Sequence, residues 1–88
     1  MHAVVVRSTI EDFEQGRTFL REEAIPRLAQ VPGFVCGYWV KLDDTSGASM
    51  IVFESEEAAQ TAAEMLRTNP PPSVTPISIE VGEVQEHA

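Results

Sequence analysis

Few side chains in this sequence have the type and the setting that chemistry requires. Glu80 sits in a run where Ile77, Ile79 and Val81 alternate with Ser78 and Glu80, so one face of that strand is polar. A carboxylate lining a cavity there would serve as a base or bind a substrate hydroxyl, with its pKa raised by burial. Facing water, it would be an ordinary solvated charge. Arg7 closes the apolar run Val4-Val5-Val6 and, with Lys41, completes the charged residues set within strands. Trp39 is the best candidate for the wall of an apolar binding site, with Ile51 and Phe53 beside it. The competing role for Trp39 is to fill a subunit core. Tyr38 points the other way along the same strand, as neighbours in a strand must.

Other chemistries lack their parts. His2 and His87 stand near the two ends of the sequence with no Cys, Asp or Glu at ligand spacing on one element, and Asp43-Asp44 reads as a solvated turn, so no metal site is expected. Gly16, Gly33, Gly37, Gly47 and Gly82 are too scattered to build a phosphate loop. No nucleophile stands beside a base at a motif spacing. The single cysteine, Cys36, cannot form an internal disulfide and reads as a small hydrophobe in an apolar strand.

The elements that must position these residues follow from pattern. Ala3 to Arg7 is a β-branched run and a first strand. Ser8, with Glu11 three residues on, fits a capping box, and Phe13, Leu20, Ala24 and Leu28 fall near one stripe of the helix that follows. Pro26 should end or kink that helix near Ala24, with Arg27 to Val31 as a looser last turn. Pro32-Gly33 then redirects the chain into a strand from Phe34 to Leu42. A polar turn, Asp43 to Gly47, leads to a strand from Ala48 to Glu54. Ser55 caps a helix whose Ala58, Ala59, Ala62, Ala63 and Leu66 form a small-residue face. Pro70-Pro71-Pro72 is a stiff connector to a last strand, from Ile77 to about Val84. The order is the ferredoxin-like βαββαβ pattern: an α+β domain spanning 1–88, with a four-stranded antiparallel sheet and two helices on one face.

At 88 residues, with a formal charge of −8 from six basic and fourteen acidic side chains, the chain opposes phosphate attraction, so neither nucleic acid nor an anionic membrane is an expected partner. The apolar run near Met1 is short and closed by Arg7, which leaves the cytoplasm as the expected location.

The hairpin is apolar on both faces. If its turn places Leu42 opposite Ala48, Val40 aligns with Met50 and Tyr38 with Val52, while Trp39 with Ile51 and Gly37 with Phe53 share the other face. Leaving Trp39, Ile51, Phe53 and a neighbour such as Val5 in water would forfeit about 6–12 kcal/mol, comparable with the whole stability of a domain. Two helices cover one face of such a sheet, so the other requires a second sheet or a ligand. A homodimer through the sheet face is expected, with the Trp39 face, which helix packing need not use, as the interface.

Three segments carry a family resemblance: Val31-Pro32-Gly33-Phe34-Val35, the hairpin from Tyr38 to Phe53, and Phe53-Glu54-Ser55-Glu56-Glu57-Ala58-Ala59. With these the chain resembles the dimeric α+β barrel superfamily, and within it the small antibiotic-biosynthesis-monooxygenase-like proteins. The resemblance implies a homodimer that binds or oxidises a small aromatic or apolar molecule without a cofactor, in a cleft beside the inter-sheet interface. A haem-degrading member would carry an asparagine on its first strand and a histidine on a helix. Here the first strand is Val4-Val5-Val6 and the sole asparagine is Asn69, so haem is not expected. Two further readings stay open: a non-catalytic dimerisation module with a fully packed interface, and an isomerase or cyclase using a single acid such as Glu80.

Overall fold

The computed structural model describes all residues, Met1–Ala88. Strand β1 (His2–Ile10) runs three residues past Arg7, because Thr9 pairs with Ser46 on one side and Ile10 with Val74 on the other. Strand pairing therefore overrides the helix-start signal at Ser8, which lies buried in the strand. The first helix begins later. Asp12 is its N-cap and accepts a 3.0 Å hydrogen bond from the Gln15 amide.

Helix α1 (Phe13–Phe19) passes through a π-helical segment, Leu20–Ala24, into helix α2 (Ile25–Ala29). The Ile25 amide donates to the Leu20 carbonyl five residues back, in the turn that precedes Pro26. A proline ring collides with the carbonyl four residues earlier in a regular helix. The widened turn accommodates it, so the rod continues to Ala29 rather than ending near Ala24.

Strand β2 (Phe34–Lys41) and strand β3 (Ser46–Phe53) form the hairpin. Its register pairs Val40 with Ala48, Tyr38 with Met50 and Gly37 with Ile51, two residues from the alignment expected of Leu42 opposite Ala48. The turn accounts for the difference. The Asp43 carboxylate accepts from the Thr45 amide at 2.9 Å, and the Leu42 amide donates to the Ser46 carbonyl at 2.9 Å, which opens β3 at Ser46. Because the slip is an even number of residues, Trp39, Ile51 and Phe53 still share one face.

Helix α3 (Glu56–Thr68) is capped by Ser55, whose hydroxyl accepts from the Ala58 amide. Strand β4 (Val74–Glu83) closes the fold, starting at Val74 after a turn in which Ser73 adopts φ 66°. A bulge opposite Arg7 and Ser8 leaves Ile77 unpaired, and Pro76 is tolerated because β4 is an edge strand. The sheet is four-stranded and antiparallel, in the order β2-β3-β1-β4, with the helices packed on one face: a ferredoxin-like α+β fold.

The pairings define rows across the sheet. On the helix-covered face run Gly37, Ile51, Val4 and Val81, then Trp39, Ser49, Val6 and Ile79, then Lys41, Gly47, Ser8 and Pro76. On the open face, Tyr38, Met50, Val5 and Glu80 stand side by side, with Val40, Ala48, Arg7 and Ser78 in the next row. The Trp39 face therefore lies beneath the helices, which corrects its expected place at a subunit interface. Val5 moves to the opposite face, because it is Val4 that pairs with Ile51. The physical reason lies after Phe53: α3 begins within three residues and folds back onto the Phe53 side, burying Val4, Ile51 and Phe53 under Ala59, Ala62 and Ala63.

Candidate functional site

Helix α3 packs closely on β1, β3 and β4, because alanine side chains let its backbone approach the sheet. The rod formed by α1, the π segment and α2 stands further off, separated by larger side chains such as Phe13 and Leu20. Beneath it the sheet carries small residues: Gly47, Ser8 and Ser49. The outcome is a cleft of about 510 Å³ between rod and sheet, within the range of roughly 300–1,000 Å³ typical of small-molecule sites.

Most of the lining is hydrophobic (12 of 21 residues). Trp39 forms part of the wall. Its indole lies back along β2 over Gly37, where a Cβ would come within 2.7 Å of the Trp39 Cη2. Glycine at position 37 is thus what lets the ring lie over the strand at that point. Ile51 also borders the space, whereas Phe53 is fully buried in the core, edge-on to Phe34 with ring centroids 5.9 Å apart, and does not reach it.

The polar groups are few. Ser8 and Ser49 stand on the floor, and neither hydroxyl is engaged by another side chain. Glu14, Arg17 and Lys41 are exposed and form the rim. The Lys41 ammonium is held 4.8 Å from the centre of the Phe13 ring and 3.9 Å from an Asp44 carboxylate oxygen. None of the chain's ion pairs involves Arg17.

Glu80 and Arg7 lie on the open face of the sheet, both exposed, and neither borders the cleft. The sequence pattern did not single out Glu14, Arg17, Ser8 or Ser49 as site residues. The available signal was the cluster of small residues Ser46, Gly47 and Ser49 at the start of β3, whose significance depends on β1 continuing past Arg7. His2 stands at the far end of the helix-covered face, 3.7 Å from Glu56 and away from the cleft. The Asp43 carboxyl is held below the usual carboxylate range first by the Thr45 amide and then by the Ser46 hydroxyl. It belongs to the hairpin turn, not to the cleft. No group of three or more His, Cys, Asp or Glu residues is placed to hold a metal ion, and no helix is long and apolar enough to cross a membrane.

No protein-family model matches the chain, and no curated protein matches it by sequence. Solved structures do match it in shape. A dimeric ferredoxin-like protein from an uncultured marine organism is 12% identical, with a TM-score of 0.62 over 100% of this chain and 98% of that one. SnoaB, a cofactor-independent oxygenase from Streptomyces nogalater, is 19% identical, with a TM-score of 0.68 over 98% of this chain and 94% of that one. A monooxygenase from the ActVA-Orf6 gene of Streptomyces coelicolor, solved with nanaomycin D, is 16% identical, with a TM-score of 0.66 over 99% and 89% of the two chains. The chain thus has the ferredoxin-like α+β fold that these proteins share.

Proposed function

We propose that the chain is a homodimer whose cleft between the first helical rod and the sheet binds a small aromatic or apolar molecule, with Trp39 and Ile51 on its wall. The observation that carries this reading is the cleft itself: about 510 Å³, mostly apolar, and bordered by the Trp39 indole, which lies over Gly37. An apolar module whose only task was to pair with its copy would gain stability by filling that space, since each large side chain buried is worth about 1.5–3 kcal/mol. Phe53 supports the core beneath the site rather than touching the ligand.

The dimer part of the reading rests on the open face, where Tyr38, Val40, Met50 and Val5 are 63%, 51%, 44% and 44% exposed in one continuous patch. A patch of this kind marks an interaction surface. The fold's dimeric ferredoxin-like relative supports a second copy as its occupant. Arg7 and Glu80 border the patch, and their role under this reading is at the dimer contact rather than in the cleft. Met50→Lys would place a charge at its centre and should shift the chain to monomer in size-exclusion chromatography with light scattering.

Likeness in fold to SnoaB, a cofactor-independent oxygenase, and to the ActVA-Orf6 monooxygenase favours oxidation of the bound molecule by dioxygen without a cofactor, a step that balances on an activated methylene. Two C–H bonds are broken, one oxygen atom becomes the ketone, and the other leaves as water with both hydrogens, so no external reductant enters. Glu14, the carboxylate on the cleft rim, is the available proton acceptor.

The test is a titration with anthrones, quinones and fatty acids, read by thermal shift and by the fluorescence of Trp39, the only tryptophan. A saturable response that Trp39→Ala abolishes in the thermal shift, with the dimer intact, supports the binding reading; no response to any class contradicts it. Oxygen uptake with an anthrone then separates an oxygenase from a binding protein.

A further inference from the structure

Two of the chain's six basic residues, Arg17 and Lys41, meet at the rim of one apolar cleft, although the chain as a whole carries a charge of −8. Against them stands one rim carboxylate, Glu14. Asp12, Glu22 and Glu23 lie on the outer side of the same rod, where with Glu14 they border a shallow acidic depression. Charges beyond a Debye length of about 8 Å are largely screened at physiological ionic strength, so the immediate rim governs what enters. There two cations stand against Glu14 and against Asp44, which lies 3.9 Å from the Lys41 ammonium.

The two cations are not equivalent. Lys41 is already engaged by the Phe13 ring and Asp44, while Arg17, in the last turn of α1, has no ion-pair partner. A guanidinium offers two parallel N–H donors in the geometry a carboxylate accepts. Nearby on the floor stand Ser8, which pairs with Gly47 across β1 and β3, and Ser49, diagonal to it, and neither hydroxyl is engaged by another side chain. Both hydroxyls border the cleft and can donate to or accept from a polar group on an otherwise apolar occupant.

Resting on the cleft being a ligand site, we infer that its ligand is an amphiphilic acid: an aromatic or otherwise apolar body lying against Trp39, with a carboxylate directed outward to Arg17. Arg17 is then a specificity residue. It selects acids over neutral isosteres and takes no part in any bond-breaking step.

A matched pair of probes, anthraquinone carboxylate and its neutral carboxamide, tests this by isothermal titration calorimetry on the wild-type chain and on Arg17→Gln, Lys41→Gln and Arg21→Gln. Arg17 is exposed, so the expected preference for the acid is the modest one of a rim ion pair, about fivefold, and it should fall with added salt. Arg17→Gln is expected to lower affinity for the acid to that for the amide while leaving the amide unchanged. Lys41→Gln should do less. Arg21→Gln, which removes an unpaired cation that does not border the cleft, should leave the preference intact. Equal wild-type affinity for both probes overturns the acid preference while leaving the cleft as a site for neutral molecules. A preference that survives Arg17→Gln, or that Arg21→Gln removes equally, overturns the role of Arg17. If neither probe binds, the ligand site itself fails and the inference fails with it.

Discussion

The two helical layers cover the same sheet face in opposite ways. Helix α3 meets it with Ala59, Ala62 and Ala63 fully buried in one cluster with Val4, Ile51 and Phe53. The rod of α1, the π segment and α2 spans the other half above Ser8, Gly47 and Ser49, and encloses the cleft. Small residues thus have contrary effects according to which layer bears them. On the helix they allow close approach, and on the sheet beneath a helix held off by Phe13 and Leu20 they leave a void. The cleft arises where the second arrangement stands beside the first, with α3 supplying the rigid support.

Mutations on the two sides should separate these roles. Phe53→Ala, which empties a fully enclosed site under α3, is expected to cost about 3–5 kcal/mol in urea unfolding. Ala62→Leu adds bulk where none fits and should cost about 1–3 kcal/mol. The same enlargement at Ser49 projects into the cleft, so Ser49→Leu should change stability by no more than about 1 kcal/mol while abolishing ligand binding. If Ser49→Leu destabilised as much as Ala62→Leu, the two halves would be equally packed and the contrast would fail. Removing the cap of the tightly docked helix by Ser55→Ala should cost about 1 kcal/mol.

The smallest effect should come from the hairpin turn. The folded-state pKa of Asp43 is depressed, so its stabilising contribution is fully present above the unfolded value near 3.8 and is lost as pH falls through the lower folded value. Asp43→Asn should therefore remove a slight pH dependence confined to acid, measured as Tm against pH.

Much of the fold was legible because local signals agreed with one another. Ser55 with the alanine stripe defined α3, Pro32-Gly33 marked the turn before β2, and alternation along the hairpin put Trp39, Ile51 and Phe53 on one face. What strand pairing decides was not legible. The extension of β1 to Ile10 depends on partners in β3 and β4, and only that extension brings Ser8 beneath the rod. Pro26 gave a true signal of helix disturbance, but a π turn absorbed it. The assignment of faces turned on α3, which folds back onto the Phe53 side within three residues, and Val5 moved to the open face because Val4 pairs with Ile51. Arg17 has no periodic signature at all, since its importance lies in lacking a partner.

The account depends most on the cleft being where the ligand sits. The most direct measurement is the quenching of Trp39 fluorescence by anthraquinone carboxylate in the wild-type chain and in Ser49→Leu, with the dimer verified in both. Saturable quenching in the wild type that disappears in Ser49→Leu is the predicted result. Equal quenching in the two proteins would place the ligand elsewhere and contradict it.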